Sequence, residues 1–195
     1  VEAFNHQPVM LAEITKLFAD IPAGTLVDAT PGGGGHAEAI LDAHPHLDIL
    51  GSDQDADALD AAMSRLDTQR HRLRTSHRRF NEFSEALADH DVTGISGALF
   101  DLGVSSPQLD RGDRGFSYRH DGPPDMLMNG DQQWSASDVV NGYDEYELGI
   151  VIKNYGDERF FKRFSRAIAA APSLILISQP PRPRRITHSV FRLRK

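Results

Sequence analysis

Short apolar runs alternate with helical patterns along the first half of the chain, and this alternation constrains the fold more than any other feature. Three runs are typical of buried parallel strands, at residues 25–30, 47–53 and 95–103. Each ends in a polar or glycine-rich stretch. Helical periodicity fills the intervals, at about 9–19, 36–44, 55–67 and 81–90. We therefore predict an α/β fold with a doubly wound, Rossmann-like parallel sheet.

The character of the sequence changes after Gly103. Residues 110–134 are rich in Gly, Pro, Asp and Arg and are predicted to form a long loop. Helical patterns follow at about 144–153 and 157–171, and an apolar run at 173–178 is a candidate fourth strand. We predict three regions, which are a ligand-binding sheet domain over 1–103, a loop and helical insertion for the substrate over 104–171, and an atypical basic tail rich in Pro and Arg over 172–195.

The formal net charge of −7 is distributed unevenly. Residues 172–195 contain six basic residues and no acidic one, which leaves −13 on the first 171 residues. A second basic cluster, "RLDTQRHRLRTSHRR", occupies residues 65–79. Local patches rather than total charge decide polyanion binding, so this cluster is either a solvated helix face or a nucleic-acid patch.

Cysteine is absent from these 195 residues. Disulfides, thiolate zinc sites and a cysteine nucleophile are therefore excluded, and a reducing cytoplasm suits the composition. The sequence shows neither a long apolar run nor a signal-peptide pattern. We expect a cytoplasmic protein with no membrane span and no metal site.

Four consecutive glycines, residues 32–35, follow the first predicted strand and precede a helix. Such a turn presents backbone N–H groups at the positive end of a helix. The pattern Gly32-x-Gly34-x-x-Ala37 also matches a dinucleotide fingerprint, with Asp53 at the end of the second strand as an acceptor for a ribose diol. The turn predicts a nucleoside-type cofactor, and both a nicotinamide dinucleotide and S-adenosylmethionine fit it.

Asp101, at the end of the third predicted strand, favours the second of these cofactors. A carboxylate at this position would attract a sulfonium cation and could accept a proton from an attacking amine. Asp28 adds a second carboxylate nearby. We therefore predict S-adenosylmethionine as the cofactor and Asp101 as the catalytic residue.

Several motifs together resemble the bacterial ribosomal RNA small-subunit methyltransferase H family. They are "HQPVM", "DATPGGGGH", "GSDQDADAL", "RRF", "FDLGVSSPQLD" followed by "DRGFSY", and "PPDMLMN". The resemblance implies a class I methyltransferase sheet and S-adenosylmethionine-dependent methylation of N4 of a cytidine in 16S ribosomal RNA, within the small ribosomal subunit. It also implies cofactor contacts at Gly34, Gly35, His36, Asp53, Phe80, Asp101 and Gln108.

Elementary chemistry gives each implied contact a role. The amides of Gly34, Gly35 and His36 would hold the methionine carboxylate at the helix start. Asp53 would accept hydrogen bonds from the ribose, Phe80 would cover the adenine, and Gln108 would meet a polar edge of the ligand. Without the resemblance, Phe80 is interpreted as a core residue and Gln108 as a solvated loop residue, and the His36 imidazole has no assigned task.

The predicted loop over 110–134 carries residues suited to a flipped-out base. Arginine side chains meet phosphates and aromatic rings stack on bases. The candidates are Arg111, Arg114, Phe116, Tyr118 and Arg119. The alternative interpretation is a disordered loop rich in Gly and Pro.

The resemblance extends over about residues 6–171, and residues 172–195 do not follow the family pattern. This departure favours C-terminal truncation or a frame shift, so we expect the C-terminal strands of the sheet to be incomplete. Two alternative functions follow. One is a non-catalytic remnant that binds cofactor or RNA weakly, and the other is a nicotinamide-dependent or small-molecule Rossmann enzyme.

Overall fold

The computed structural model describes residues 8–170 and divides them into two compact units. The first unit contains residues 8–109 and 127–133, and the second contains 110–126 and 134–170. The predicted strand at 173–178 and the basic tail lie outside the described residues. The domain division predicted from the sequence, with boundaries at 103 and 171, stays a prediction.

A four-stranded parallel sheet forms the centre of the first unit. Its strands are β1 (Gly24–Asp28), β2 (Leu47–Asp53), β3 (Leu73–His77) and β4 (Gly97–Leu99). They are arranged in the order β3-β2-β1-β4, so that the first strand of the chain lies between β2 and β4. The strand order reverses between β1 and β4, and α/β sheets bind ligands at such a switch point.

Helices connect the strands of the first unit, as parallel pairing requires. The connecting helices are α2 (Gly35–Ala43), α3 (Ala56–Arg65) and α4 (Phe83–Asp89), whereas α1 (Leu11–Leu17) precedes β1 and α5 (Ser106–Asp110) follows β4. The core is contributed mainly by β1, β2 and α2, where Leu26, Ile40 and Ile49 are fully buried. Continuous burial along β1 and β2 indicates a sheet covered on both faces. The predicted Rossmann-like α/β fold is confirmed.

The sequence-based strand assignment is correct for β1 and β2 and too long for the third run. It misses β3, which lies within the basic cluster over 65–79. The third run is a strand over only Gly97–Leu99. The basic cluster is not one helix face, because it contains the end of α3, a 3-10 helix over Asp67–Arg72, and β3. β3 lies at an outer position of the sheet, where charged side chains are common. Because β3 is polar, the hydrophobic pattern of the sequence does not identify it as a strand.

The second unit is helical, with α6 (Ala136–Gly142), α7 (Glu145–Gly156) and α8 (Phe161–Ala169). α7 begins at a capping box in which the Asp144 carboxylate accepts from the Glu147 N–H and the Glu147 carboxylate accepts from the Asp144 N–H. A Cβ at Gly149 would lie 3.2 Å from the hydroxyl of buried Ser165, so α7 and α8 approach closely there. The two predicted helices are confirmed, and α6 was missed.

Residues 110–126 fold back on themselves within the second unit. The Met126 N–H donates to the Arg114 carbonyl at 3.2 Å, and Gly122 packs directly on the backbone of Gly112. Tyr118, near the tip, is 64 % exposed. The segment is thus a compact loop rather than a disordered one. Among residues 8–170, no helix combines the length and the apolar character that crossing a bilayer requires.

Candidate functional site

A cavity of about 480 Å³ lies within the first unit, at the carboxyl ends of β1, β2 and β4. Three chain segments supply most of its wall, which are the turn over 29–33 after β1, residues 53–55 after β2, and residues 101–108 after β4. Because parallel strands end at the same edge of a sheet, segments far apart in sequence meet there. The cavity therefore occupies the position where this class of sheet binds ligands.

Six of the seven residues that the sequence nominated for a cofactor line this cavity. They are Gly35, His36, Asp53, Phe80, Asp101 and Gln108. Gly34 does not line it. Their roles as ligand contacts stay predictions, but their convergence on one cavity is a property of the fold.

The glycine turn serves packing at one position and leaves open space at another. Gly34 has φ 79°, and a Cβ there would lie 3.0 Å from the Ala62 Cα on α3. Its N–H donates to the Pro31 carbonyl at 2.8 Å, so this amide is engaged within the turn. Gly32 also has a positive φ, of 49°, but a Cβ there would meet no atom within 4 Å. Gly34 is therefore required by helix packing, and Gly32 borders the cavity with room for a ligand.

His36 connects α2 to the segment before α1. Its imidazole is buried, and Nε2 lies 3.0 Å from the carbonyl oxygen of Val9. Since a carbonyl only accepts, Nε2 carries the proton in this contact. At the adjacent position, a Cβ on Gly35 would lie 2.5 Å from Pro8 Cγ. The imidazole thus has a structural task, and the amides of Gly35 and His36 remain the candidates for ligand binding in the first turn of α2.

Asp53 joins the end of β2 to the glycine turn. One carboxylate oxygen accepts from the Asp55 N–H at 3.0 Å and the other from the Gly32 N–H at 3.4 Å. Burial raises the pKa of Asp53, and these backbone hydrogen bonds oppose the increase. The carboxylate is therefore held in place at the wall of the cavity while remaining partly exposed.

Gln108 holds the segment after β4 against the start of α3. Its Nε2 donates to the Asp55 carboxylate at 3.1 Å, and its Oε1 accepts from the Ser105 N–H at 3.0 Å. Asp55 in turn accepts from the Asp57 N–H and caps α3. Gln108 is 7 % exposed, so its interpretation as a solvated loop residue is wrong. Sequence reasoning missed Asp55, although its place two residues after a strand and before a helix is typical of a cap.

Phe80 and Asp101 present exposed chemistry at the cavity. Phe80 is 46 % exposed, so its interpretation as a core residue is wrong. The backbone N–H of Asp101 donates to Thr30 Oγ1 at 2.7 Å, which fixes the segment after β4 to the turn after β1. The Asp101 side chain is exposed and lines the cavity. A flat apolar face and a carboxylate are therefore available to a ligand.

Asp28 lies directly before the cavity wall and is fully buried. One oxygen accepts from the Thr30 N–H at 3.1 Å, while Oδ2 has no hydrogen-bond partner among the described residues. Burial raises the pKa of Asp28 to about 7, the Thr30 hydrogen bond opposes the increase, and the charges of Asp53 and Asp101 add to it. A buried carboxyl with an unsatisfied oxygen is costly, which makes this position notable.

The basic cluster over 65–79 is largely occupied by contacts within the first unit. Arg72 donates to the carbonyls of Leu41, His44 and Leu47 at the junction of α2 and β2. Arg78 pairs with Asp89 at 2.8 Å. Arg65 and Arg74 are also engaged, with Glu38 and with the Thr25 hydroxyl respectively. These contacts give the cluster a structural explanation and weaken the nucleic-acid interpretation.

We expect Arg72→Ala to lower the free energy of unfolding by about 1–3 kcal/mol, because three carbonyls lose a charged donor. Chemical denaturation measures this loss. Arg79→Ala, an exposed residue of the same cluster, is the matched control and should change the stability by less than about 0.5 kcal/mol. Equal stability of both variants and the unchanged protein would contradict the structural role of Arg72.

The fold and the cavity define a Rossmann-like domain of the methyltransferase class, with a glycine turn after its central strand and acidic residues at the ends of three adjacent strands. A family described as the MraW methylase family matches residues 3–179. The chain belongs to that family. The resemblance identified from the sequence motifs is confirmed.

Relatives of this chain are named ribosomal RNA small subunit methyltransferase H. The protein of Saccharopolyspora erythraea is 47 % identical over 168 residues, which are 84 % of this chain and 51 % of the relative. The proteins of Thermobifida fusca and Geobacter sulfurreducens are each 43 % identical, over 84 % and 86 % of this chain and 50 % and 54 % of their own lengths. The chain thus spans about half the length of the curated relatives it matches.

Proposed function

We propose that this chain contains the cofactor-binding part of an S-adenosylmethionine-dependent methyltransferase acting on N4 of a cytidine in 16S ribosomal RNA. The names of the relatives, which describe ribosomal RNA small subunit methyltransferases, support the substrate class. The motifs quoted from the sequence support the position of the methyl group. A cytoplasmic location and a small-subunit particle as partner follow from such a substrate.

The observation that carries the proposal is the convergence of three carboxyl groups on one cavity. Asp53 and Asp101 line the cavity, and Asp28 is buried directly behind its wall. This cluster of carboxyl groups fits a ligand that carries a positive charge, as a sulfonium does, while Arg65, the cation that also lines the cavity, pairs with Glu38. The cluster disfavours the pyrophosphate of a nicotinamide dinucleotide, which would bring two negative charges to the same place. The open space at Gly32 and the first-turn amides of α2 would accommodate the remaining nucleoside and carboxylate.

When bound, the cofactor would supply a methyl group already activated by the adjacent sulfonium. The protein's part is to bind and align. Asp53 would accept hydrogen bonds from the ribose hydroxyls, Phe80 would cover the adenine, and the amides of Gly35 and His36 would donate to the carboxylate. Alignment of an attacking atom can contribute about 7–11 kcal/mol to lowering the barrier.

Asp101 is the proposed catalytic residue. Its carboxylate would accept a hydrogen bond from the cytidine N4 amine and orient the nitrogen lone pair toward the methyl group. On transfer of the methyl group from sulfur to N4, the nitrogen would gain positive charge and lose a proton, and the Asp101 carboxylate would accept that proton. The Asp101 N–H on Thr30 Oγ1 would keep the carboxylate at the cavity during this step. The loop over 110–126, with Arg119 and Tyr118, is proposed to hold the RNA.

Two measurements on the purified chain test the proposal. Calorimetry should detect heat with S-adenosylmethionine and with S-adenosylhomocysteine but none with NADH. Transfer of labelled methyl groups should then be found on small-subunit particles isolated without this modification. Binding of NADH in place of S-adenosylmethionine would overturn the cofactor, and cofactor binding without methyl transfer would support the non-catalytic alternative.

A further inference from the structure

We infer that Asp28 is a specificity-determining residue that lets the cavity distinguish a cationic cofactor from its uncharged product. The inference rests on the proposed function, since it concerns the same cavity. It assigns to Asp28 an electrostatic role exerted through the cavity wall, which is separate from the ligand contacts assigned to Asp53 and Asp101.

The position of Asp28 supports this role. It is the last residue of β1, and the next two residues, Ala29 and Thr30, belong to the cavity wall. Asp28 itself does not line the cavity and is 0 % exposed. Its carboxyl would therefore act on a ligand through the cavity wall and not by contact, with little water to screen the charge.

The unsatisfied oxygen of Asp28 gives the second argument. Oδ2 has no hydrogen-bond partner among the described residues, and its neighbour Oδ1 has one, from the Thr30 N–H. A buried carboxylate with one partner is costly in the empty protein. A cation in the adjoining cavity would lower this cost, whereas an uncharged ligand of the same shape would not.

The charged side chains that act on Asp28 from β2 and from the segment after β4 are both negative. β2 contributes Asp53 and the segment after β4 contributes Asp101, and both raise the pKa of Asp28 in addition to the dominant effect of burial. The titratable side chains in the first turn of α2 are His36, which is bonded to the Val9 carbonyl, and Glu38, which pairs with Arg65. With its pKa near 7, Asp28 changes charge in the range where the enzyme would operate.

Substrate and product of methyl transfer differ by one methyl group and one positive charge. S-adenosylmethionine carries a sulfonium and S-adenosylhomocysteine an uncharged thioether. Binding of the cation should lower the pKa of Asp28 and release a proton when binding occurs near or below pH 7. The thioether should release fewer protons. The preference for S-adenosylmethionine should therefore grow as the pH rises and Asp28 ionises.

The test measures the two dissociation constants by calorimetry between pH 5.5 and 8.5. The preference is the dissociation constant of S-adenosylhomocysteine divided by that of S-adenosylmethionine. From the lowest to the highest pH, this ratio should rise about tenfold for each unit by which the sulfonium lowers the pKa of Asp28 further than the thioether does. Asp28→Asn should give a ratio that does not change with pH. Sinefungin, which has a protonated amine in place of the methyl sulfonium, should follow S-adenosylmethionine.

Two controls separate this role from a structural one. Asp60→Asn removes an exposed carboxylate from α3 and should retain the pH-dependent ratio. Without ligand, the raised pKa of Asp28 means that the folded protein holds a proton that the unfolded chain has lost, so stability falls as the pH rises from about 4 to 7. Asp28→Asn should remove this part of the pH dependence and raise the melting temperature at pH 8.

The outcomes are distinguishable. A ratio that is constant with pH in the unchanged protein, or that still rises in Asp28→Asn, overturns the role of Asp28 and leaves the proposed function standing. Failure of both adenosyl ligands to bind the folded protein overturns the proposed function itself. If Asp28→Asn does not fold, proton release by the unchanged protein in buffers of different ionisation enthalpy decides the question. Equal release with both adenosyl ligands counts against the inference.

Discussion

Asp101→Asn is expected to slow methyl transfer about 100-fold or more while leaving the affinity for small-subunit particles within about threefold. Asparagine retains the size of the side chain but cannot accept the N4 proton, and a positioned base contributes about 10²–10⁴ in rate. Single-turnover transfer of labelled methyl groups, with the particle affinity measured in parallel, separates the two quantities.

Asp60→Asn is the matched control, because it removes an exposed carboxylate from α3 that does not line the cavity. It should transfer methyl groups at the unchanged rate. If Asp101→Asn also does so, the catalytic assignment of Asp101 is wrong. A loss of particle affinity as large as the loss of rate would instead make Asp101 a binding residue.

Gly34→Ala should lower the free energy of unfolding by about 2–5 kcal/mol. A left-handed conformation costs a non-glycine residue about 1–2 kcal/mol, and overpacking against Ala62 adds about 1–3 kcal/mol. Urea denaturation, followed by circular dichroism, measures the difference.

Gly32→Ala provides the comparison, since it places a methyl group on a left-handed residue with open space around it. Its stability loss should stay near the conformational part, about 1–2 kcal/mol, whereas its cofactor affinity should fall because the methyl group projects beside the cavity. If Gly34→Ala is as stable as the unchanged protein and Gly32→Ala binds the cofactor with unchanged affinity, the division of tasks within the glycine turn is wrong.

The sequence was sufficient for elements whose hydrophobic pattern is set by burial. β1 and β2 are covered on both faces, so their residues form continuous apolar runs that predict strands. β3 was missed because an outer strand needs little apolar surface, and Arg74 and His77 lie within it. The helices α5 and α6 were missed because they lie directly beside the stretch rich in Gly, Pro, Asp and Arg, which the sequence predicts as a loop.

The residue types of the candidate site could be predicted more readily than their individual tasks. Acidic residues at strand ends and a glycine turn point to the cavity through chain order alone. The engagement of Gln108 with Asp55, the burial of Asp28 and the contact of Gly34 with Ala62 depend on which elements pack together. Such pairings join residues that are distant in sequence, and no local pattern encodes them.

The residues that form the cavity wall are far apart in the sequence, and this separation affects when the cavity forms during folding. The hydrogen bond between the Asp101 amide and the Thr30 hydroxyl closes a segment of 71 residues, and the bond between Gln108 and Asp55 closes one of 53. On a ribosome the first bond cannot form until residue 101 has left the exit tunnel, and the second until residue 108 has, and closing such long loops is slow. Assembly of the cavity wall is therefore a late event in folding. Ligand affinity can serve as a reporter for completion of the sheet, whereas the helical content measured by circular dichroism cannot.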